Sequence, residues 1–563
     1  MKLEREDLIL IGLIGVFAIA SIIFSLSFHA LPGPVYGGDV YYHYGKINQL
    51  AEGGSVFESS HFKGEYEHYG WLSNALTAGL TYLGFSPLRA TVTFAWIIQV
   101  LGAIVIYLLM SRLTNKTVGL FFAALVLATP LLNLPTIFST YVLIPLGILA
   151  AFTFTNPYAK GAVYGLCGIA HPISFAAINL LYPSIALYRI VRRTSTIKDQ
   201  ALHLAKTYAV GIPIALLYWG PLIAAYGGRT INPWQEYVRS DPIIIQTLTR
   251  IFFSTNTLIV FGLSMLAIAG LILAVRNRRI ILIPFGIMLF GLIHPYLTEP
   301  VFGTSLGWFG FGQMRYVVGV LLAGLALAAL LKMTPQRFHT VALIILLSVA
   351  AIHAQANYSR FTEDRWTQMA FDQGNAIHTD NPLIDHIHRT TSVDDVFLTL
   401  HPESSFALNA VTGRKVVHLR ITHASTFVDV NERILDAAII LYSDDEEEVN
   451  RLLERYGTSR LYIDGYGMQM WMNCNAFFEQ DAHPEASHAC LRIDYDPEYE
   501  RILESHGLEY RTVTARKNIA SETAPVFEQI AIRPREGAVF NRFEVEHQLT
   551  DGQQVVAQLI RIR

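Results

Sequence analysis

Long apolar runs joined by short basic connections fill residues 1–355, and they constrain the fold more than any other feature of the chain. A bilayer core takes about 20 residues of helix. The runs predict spans near 8–28, 88–111, 117–134, 136–155, 160–175, 176–190, 206–225, 253–275, 280–296, 315–331 and 339–355, about eleven in all. The pair within 160–190 would make two short crossings. The first run has no small-residue cleavage site, and Pro32-Gly33-Pro34 follows it, so it reads as an anchor and not a signal peptide. Only 15% of residues are charged and mean hydropathy is +0.36. Soluble domains carry about 25% charge, which excludes a purely soluble enzyme. A net charge of −3 leaves no basic footprint for nucleic acid.

The small net charge hides an asymmetry, with the basic excess in 1–355 and the acidic excess in 356–563. Short-loop basic residues orient the spans. With a cytoplasmic N-terminus, the inner connections hold Lys2 and Arg5, Arg112 and Lys116, Lys160, Arg189 to Lys198, Arg276 to Arg279, and Lys332 and Arg337. The outer loops collect Asp39, Glu52, Glu58, Glu65, Glu67, Glu236, Asp241 and Glu299. An odd number of spans then puts residues 356–563 outside. The expected fold is a polytopic α-helical membrane domain, 1–355, with a long first exterior loop at 29–87, followed by an extracytoplasmic mixed α/β domain, 356–563. In that second part, strands are expected at 396–400, 415–419 and 460–464, with a turn at Thr412-Gly413-Arg414 and helices at 430–443 and 445–456. The acidic run Asp444 to Glu448 reads as a solvated helix start, where carboxylates suit the helix dipole.

Of three cysteines, Cys167 falls in a span and reads as small apolar filler. Cys474 and Cys490 fall in the exterior part, where a disulfide is permitted. A zinc site using His483 and His488 is the alternative, but the cysteines are too far apart for a finger-type pair.

Chemistry-bearing residues gather toward the outer face. Asp39 lies in Gly37-Gly38-Asp39-Val40-Tyr41-Tyr42-His43, shortly after the anchor. A carboxylate partly desolvated by aromatic rings suits a general base, and a helix N-cap is the competing role. Glu65, Glu67 and His68 could ligate a divalent cation (Mg2+ or Mn2+) or orient a sugar hydroxyl; ordinary loop polarity is the alternative. The stretch 71–85, with Trp71 and Tyr82, suits an interfacial helix. His171-Pro172 and His294-Pro295, the latter followed by Glu299, place ionisable groups near the outer ends of spans, where they either act or satisfy loose carbonyls. Arg315 opens a late span; its planar fork of donors suits a phosphate, with a snorkelling side chain as competitor. Arg229 is a weaker phosphate candidate.

Taken together, these residues resemble the GT-C glycosyltransferase superfamily. The likeness rests on one N-terminal span, the acidic Gly38-Asp39-Val40-Tyr41-Tyr42-His43 loop, His171-Pro172, Arg315-Tyr316, and the exterior Thr412-Gly413-Arg414 turn. It implies transfer of a sugar from a polyprenyl-phosphate-linked donor to a protein, lipid or glycan acceptor at the extracytoplasmic face. It further implies inversion, with Asp39 as general base and Arg315 on the donor phosphate. The Trp-Trp-Asp of the superfamily's oligosaccharyltransferases is missing, and Trp471-Met472-Asn473 does not replace it, which argues against asparagine glycosylation. Protein mannosyltransferases more often show Asp-Glu in the first loop, whereas Val40 follows Asp39 here. The rival readings are a transporter and a lipid-carrier binding protein without transferase activity. A transporter would show internal repeats, and none is evident.

Overall fold

The computed structural model describes residues 3–26, 30–31, 38–129, 138–227, 258–276, 311–363, 377–378, 381–479, 484–516, 526–551 and 554–562. Helices Arg5–Leu26, Pro87–Leu113, Lys116–Leu127, Ile144–Thr153, Pro157–Ala170, Pro172–Val191, Ile197–Tyr226, Leu258–Arg276, Phe311–Met333 and His339–Glu363 stand at the expected spans, while 280–296 lies outside the described residues. Five of the described helices are long and apolar enough to cross a membrane. The ends follow local chemistry. Ser86, Asn115, Asn156 and Thr196 each accept a backbone N–H of the first turn they precede, satisfying a donor that a helix start leaves open. Pro87 and Pro157 take the first helical position, where a missing N–H costs nothing.

Several boundaries differ from expectation. The Lys116 helix stops at Leu127, seven residues short of 134. A π-helical turn, Phe138–Leu143, precedes Ile144–Thr153. The pair within 160–190 breaks at His171, because Pro172 cannot continue the preceding helix and instead opens the next. The helix expected from 206 begins at Ile197, and the last long helix runs to Glu363, past the expected border at 355. Leu72–Thr81 is a short helix ending beside the exposed Tyr82, whose hydroxyl donates to the Leu50 carbonyl at 3.3 Å.

The later part of the chain carries two sheets. One has the order β4-β3-β5-β10-β9, where β3 is Val396–Thr399, β4 Lys415–Val416, β5 Thr458–Asp464, β9 Phe543–Asp551 and β10 Gln554–Ile562. Its β4-β3-β5 portion is parallel and β10 joins antiparallel. The other is antiparallel β6-β8-β7, with β6 Leu491–Asp494, β7 Tyr510–Arg516 and β8 Val526–Ile532. β4 is shorter than the expected 415–419 strand, and a helix starts directly at Gly465. Helices Val430–Tyr442 and Glu446–Tyr456 fill their expected places, and Asp445 caps the acidic start by accepting the Glu448 N–H. Cys474 and Cys490 form a disulfide, tying helix Gly465–Glu479 to the segment before β6. Trp471 packs edge-on against Tyr442, a core role. A small pair, β1 (Ala30–Leu31) with β2 (Ile377–His378), joins the exit of the first helix to the chain that follows the last long one.

The contact that positions the site is between helix Asp39–Ala51 and helix Pro402–Thr412. A Cβ on Gly45 would lie 2.4 Å from Asn409 Oδ1, and one on Gly413 (φ +67°) would lie 2.5 Å from the Gln49 nitrogen. The two glycines therefore set how closely the helices approach. Asn48 Nδ2 donates to the Ala410 carbonyl at 2.7 Å, Asn409 Nδ2 to the Ser60 carbonyl at 2.7 Å, and the Val416 N–H to the His61 carbonyl at 2.7 Å. Arg414, fully buried, donates to Glu52 Oε2 at 2.6 Å and to the carbonyls of Thr412 and Thr391 at 2.8 Å. Lys415 pairs with Glu58. The Thr412-Gly413-Arg414 turn is thus the seam between the first exterior loop and the α/β part.

Candidate functional site

Asp39 is the first residue of its helix, and Gly38 occupies the cap position with no side-chain hydrogen bond. The N-cap reading of Asp39 therefore fails: residue 38, not 39, stands where the backbone turns into the helix. The Asp39 side chain is 42% exposed, and its Oδ1 faces His423 Nε2 at 3.4 Å. His423 comes from the short turn Ile421–His423 in the far half of the chain. Its ring lies 5.0 Å from that of Phe406, and the Arg420 guanidinium covers Phe406 at 4.2 Å. Arg420 donates to Glu403 Oε2 at 2.9 Å. Burial lowers the His423 pKa, opposed by its bond to Asp39 and assisted by Arg420. Burial raises Glu403 against the pull of Arg420. One aromatic ring, Phe406, thereby packs against both His423, which faces the Asp39 carboxylate, and Arg420, which pairs with Glu403.

His43 lies one helical turn beyond Asp39, on the same face. Its Nδ1 is 3.0 Å from Asn74 Oδ1, and its buried Nε2 has no hydrogen-bond partner among the described residues. Burial lowers its pKa to about 4. Neutral at pH 7, with an acceptor at Nδ1, the ring carries its proton there and leaves the Nε2 lone pair bare. His171 is buried at the junction of its two helices. Gly70 packs on this junction, where a Cβ would lie 2.3 Å from the Ala170 carbonyl oxygen.

Glu65 stands apart from Glu67 and His68, whose Oε1 and Nδ1 lie 3.9 Å from each other. Glu65 pairs with Arg433 at 3.2 Å and accepts the Tyr226 hydroxyl at 2.6 Å. Glu67 is buried against Lys46 at 3.3 Å, and burial pushes its carboxyl up to about 8. Burial also lowers Lys46 well below its ordinary value. However, Nζ is ringed by Glu67, Gln49 Oε1 at 2.9 Å and the carbonyls of Ser55 at 2.8 Å and Glu58 at 2.5 Å. An ammonium can serve such a ring; a neutral amine has too few protons. His68 packs on Tyr42 and Tyr69, its pKa lowered to about 3 by burial. Among the described residues no group of three or more His, Cys, Asp or Glu is arranged to hold a metal ion.

Arg315 falls near the start of helix Phe311–Met333, with its side chain outside the described residues. Arg229, His294, Glu299 and His483 also lie outside them. Sequence reasoning missed His423, Arg420, Glu403 and Asn74. Only His401-Pro402 offered a hint near them. This third His-Pro starts a helix, with His401 accepting the Glu403 N–H and Pro402 at the first position. His-Pro is in this chain a helix-start signal before it is a chemical one.

No family model matches the chain, and no curated protein matches it in sequence. Solved structures do match. ArnT from Cupriavidus metallidurans in the apo state aligns at 12% identity and TM-score 0.51, over 93% of this chain and 97% of its own. The Archaeoglobus fulgidus oligosaccharyltransferase tethered to an acceptor peptide containing the NVT sequon aligns at 13% identity and TM-score 0.50, over 92% of this chain and 74% of its own. The arabinofuranosyltransferase AftD from Mycobacteria aligns at 15% identity and TM-score 0.50, over 95% of this chain and 40% of its own. The chain shares the overall fold of these three structures, with long apolar helices and a sheet-bearing C-terminal part.

Proposed function

We propose that this protein is an integral membrane glycosyltransferase that moves a sugar from a polyprenyl-phosphate-linked donor to an acceptor hydroxyl at the extracytoplasmic face. The observation that carries the reading is the partly exposed Asp39 carboxylate facing His423 at 3.4 Å, within a fold shared with transferases of this kind. Basic inner connections support an N-terminus inside and the α/β part, 356–563, outside.

In the proposed reaction Asp39 takes the acceptor's proton as the acceptor oxygen attacks the anomeric carbon. The bond from that carbon to the phosphate oxygen breaks, and the polyprenyl phosphate departs with the electron pair. The transition state resembles the oxocarbenium ion of glycoside hydrolysis. One displacement inverts the anomeric centre. Arg315 would meet the growing charge on the phosphate. His423 is a positioning residue: as neutral imidazole with Nε2–H it donates to Asp39 Oδ1 and orients the carboxylate toward the acceptor.

The test is transfer by purified protein from a panel of radiolabelled polyprenyl-phosphate sugars, wild type against Asp39→Asn. Transfer by the wild type that collapses in Asp39→Asn is expected. Equal transfer by both removes Asp39 from the mechanism, and no transfer from any donor leaves a lipid-carrier binding protein as the better reading.

A further inference from the structure

A cavity of about 480 Å3 opens where the first exterior loop, the outer end of helix Ile197–Tyr226 and the α/β part meet. That volume suits a small ligand. Its charged lining is balanced, with Lys63, Arg433 and Arg455 against Glu65, Asp429 and Glu432. Most of these charges are already answered. Arg433 pairs with Glu65 at 3.2 Å and Arg455 with Glu432 at 2.8 Å, while Asp429 caps its helix by accepting the Glu432 N–H at 3.0 Å. A phosphate or an acidic peptide would find no net positive field here, whereas a neutral, polyhydroxylated ligand would find donors and acceptors alternating around it.

Two further observations narrow the ligand. Tyr226 and Phe427 lie in the wall as a near-parallel stack, centroids 5.1 Å apart and 9° from coplanar, a flat apolar surface of the kind that meets the C–H face of a sugar ring. The wall is also held from behind. Arg433 lies 4.2 Å over Phe62, and the Tyr456 hydroxyl donates to Asp436 at 2.6 Å. Side chains fixed in this way lose little freedom on binding.

We infer that this cavity is a carbohydrate subsite for the acceptor, so that the acceptor is a glycan or a glycosylated molecule. Phe427 follows His423 by four residues, at most about 14 Å of chain, and His423 touches Asp39. A short saccharide seated against Phe427 can therefore place a hydroxyl at Asp39. As an acceptor assignment this rests on the transferase reading above; as a sugar site it does not.

The experiment is saturation-transfer NMR on the full-length protein in detergent, with methyl α-mannopyranoside, methyl β-glucopyranoside and methyl β-galactopyranoside as probes, and inorganic phosphate and an acidic peptide as controls. At least one glycoside should bind, and both Phe427→Ala and Lys63→Ala should weaken it, by about tenfold if each removes one good contact. Thermal melting of each variant separates lost binding from lost folding. Asp39→Asn should bind the glycoside as the wild type does. In a transfer assay Lys63→Ala should raise acceptor KM with kcat held. The inference is overturned if no glycoside binds, if folded Phe427→Ala and Lys63→Ala both bind like the wild type, or if phosphate or the peptide binds more tightly. Glycoside binding without transfer from any donor would sustain the sugar site and sink the transferase reading.

Discussion

The two ends of helix Asp39–Ala51 face the same α/β part in opposite ways. At its C-terminal end, Lys46, Asn48, Gln49 and Glu52 are bound into a buried mesh with Arg414, Ala410 and Glu67. At its N-terminal end, Asp39 faces His423 at 3.4 Å and stays 42% exposed. The first arrangement fixes the helix and the second leaves a carboxylate available. One element thus anchors the loop at one end and presents chemistry at the other, and rigidity in the mesh is what makes the exposed end precise enough to act.

Substitutions at the two ends should separate stability from turnover. The largest effect is expected for Asp39→Asn, with transfer falling on the order of a thousandfold as a general base is lost and the melting temperature unmoved. A melt that drops with activity would mean that Asp39 belongs to the mesh after all. Arg414→Ala should do the reverse, costing about 3 kcal/mol by leaving buried carbonyls and Glu52 without their donor; denaturant unfolding of the purified protein reads this directly. His423→Gln should lower kcat by roughly tenfold, the worth of one hydrogen bond to a charged group, and shift the acid limb of the pH–rate profile, whereas a purely structural His423 would change the melt and leave that limb in place.

A pH series sharpens the contrast further. Burial lowers His43 to about 4 and His68 to about 3, and holds His61 well below its ordinary value. The unfolded chain takes up protons near pH 6.5 that the folded chain refuses, so stability supplied by these histidines is present above 6.5 and lost as pH falls through the folded values. Thermal melts from pH 7 to pH 4.5 should drop, and His61→Phe should flatten part of the drop. Glu67 has the opposite sign. Its carboxyl is raised to about 8, so its share is present below about 4.5 and lost as pH rises through 8. The smallest expected effect is at Gly45→Ala. There a Cβ would press on Asn409, costing about 1–2 kcal/mol by overpacking without altering the pH–rate profile.

Much of this was legible from local sequence. Apolar runs located the helices, because lipid demands about 20 uninterrupted residues. Asp445 read as a helix start because a carboxylate beside open N–H groups needs no distant partner. Other boundaries moved where packing or an imino acid decided them, as at Leu127 and at His171-Pro172. The Thr412-Gly413-Arg414 turn was correctly read as a turn, but nothing local indicated that Arg414 would be buried against Glu52. Glu65, Glu67 and His68 are close in sequence, yet Glu65 turns to Arg433 while Glu67 and His68 stay within 3.9 Å of each other, since an irregular loop turns each side chain toward whatever packs beside it.

The sequence by itself determined an apolar helical part with basic connections, an acidic part with alternating strands and helices, and a carboxylate placed shortly after the first helix, because hydropathy, charge bias and helix capping each act over a few neighbouring residues. Only the tertiary structure decided that His423 faces Asp39, that His43 is buried against Asn74, and that a balanced, aromatic-walled cavity opens nearby. Those outcomes depend on which distant surfaces bury one another, and burial also sets the protonation of the histidines, which no local pattern of residues encodes.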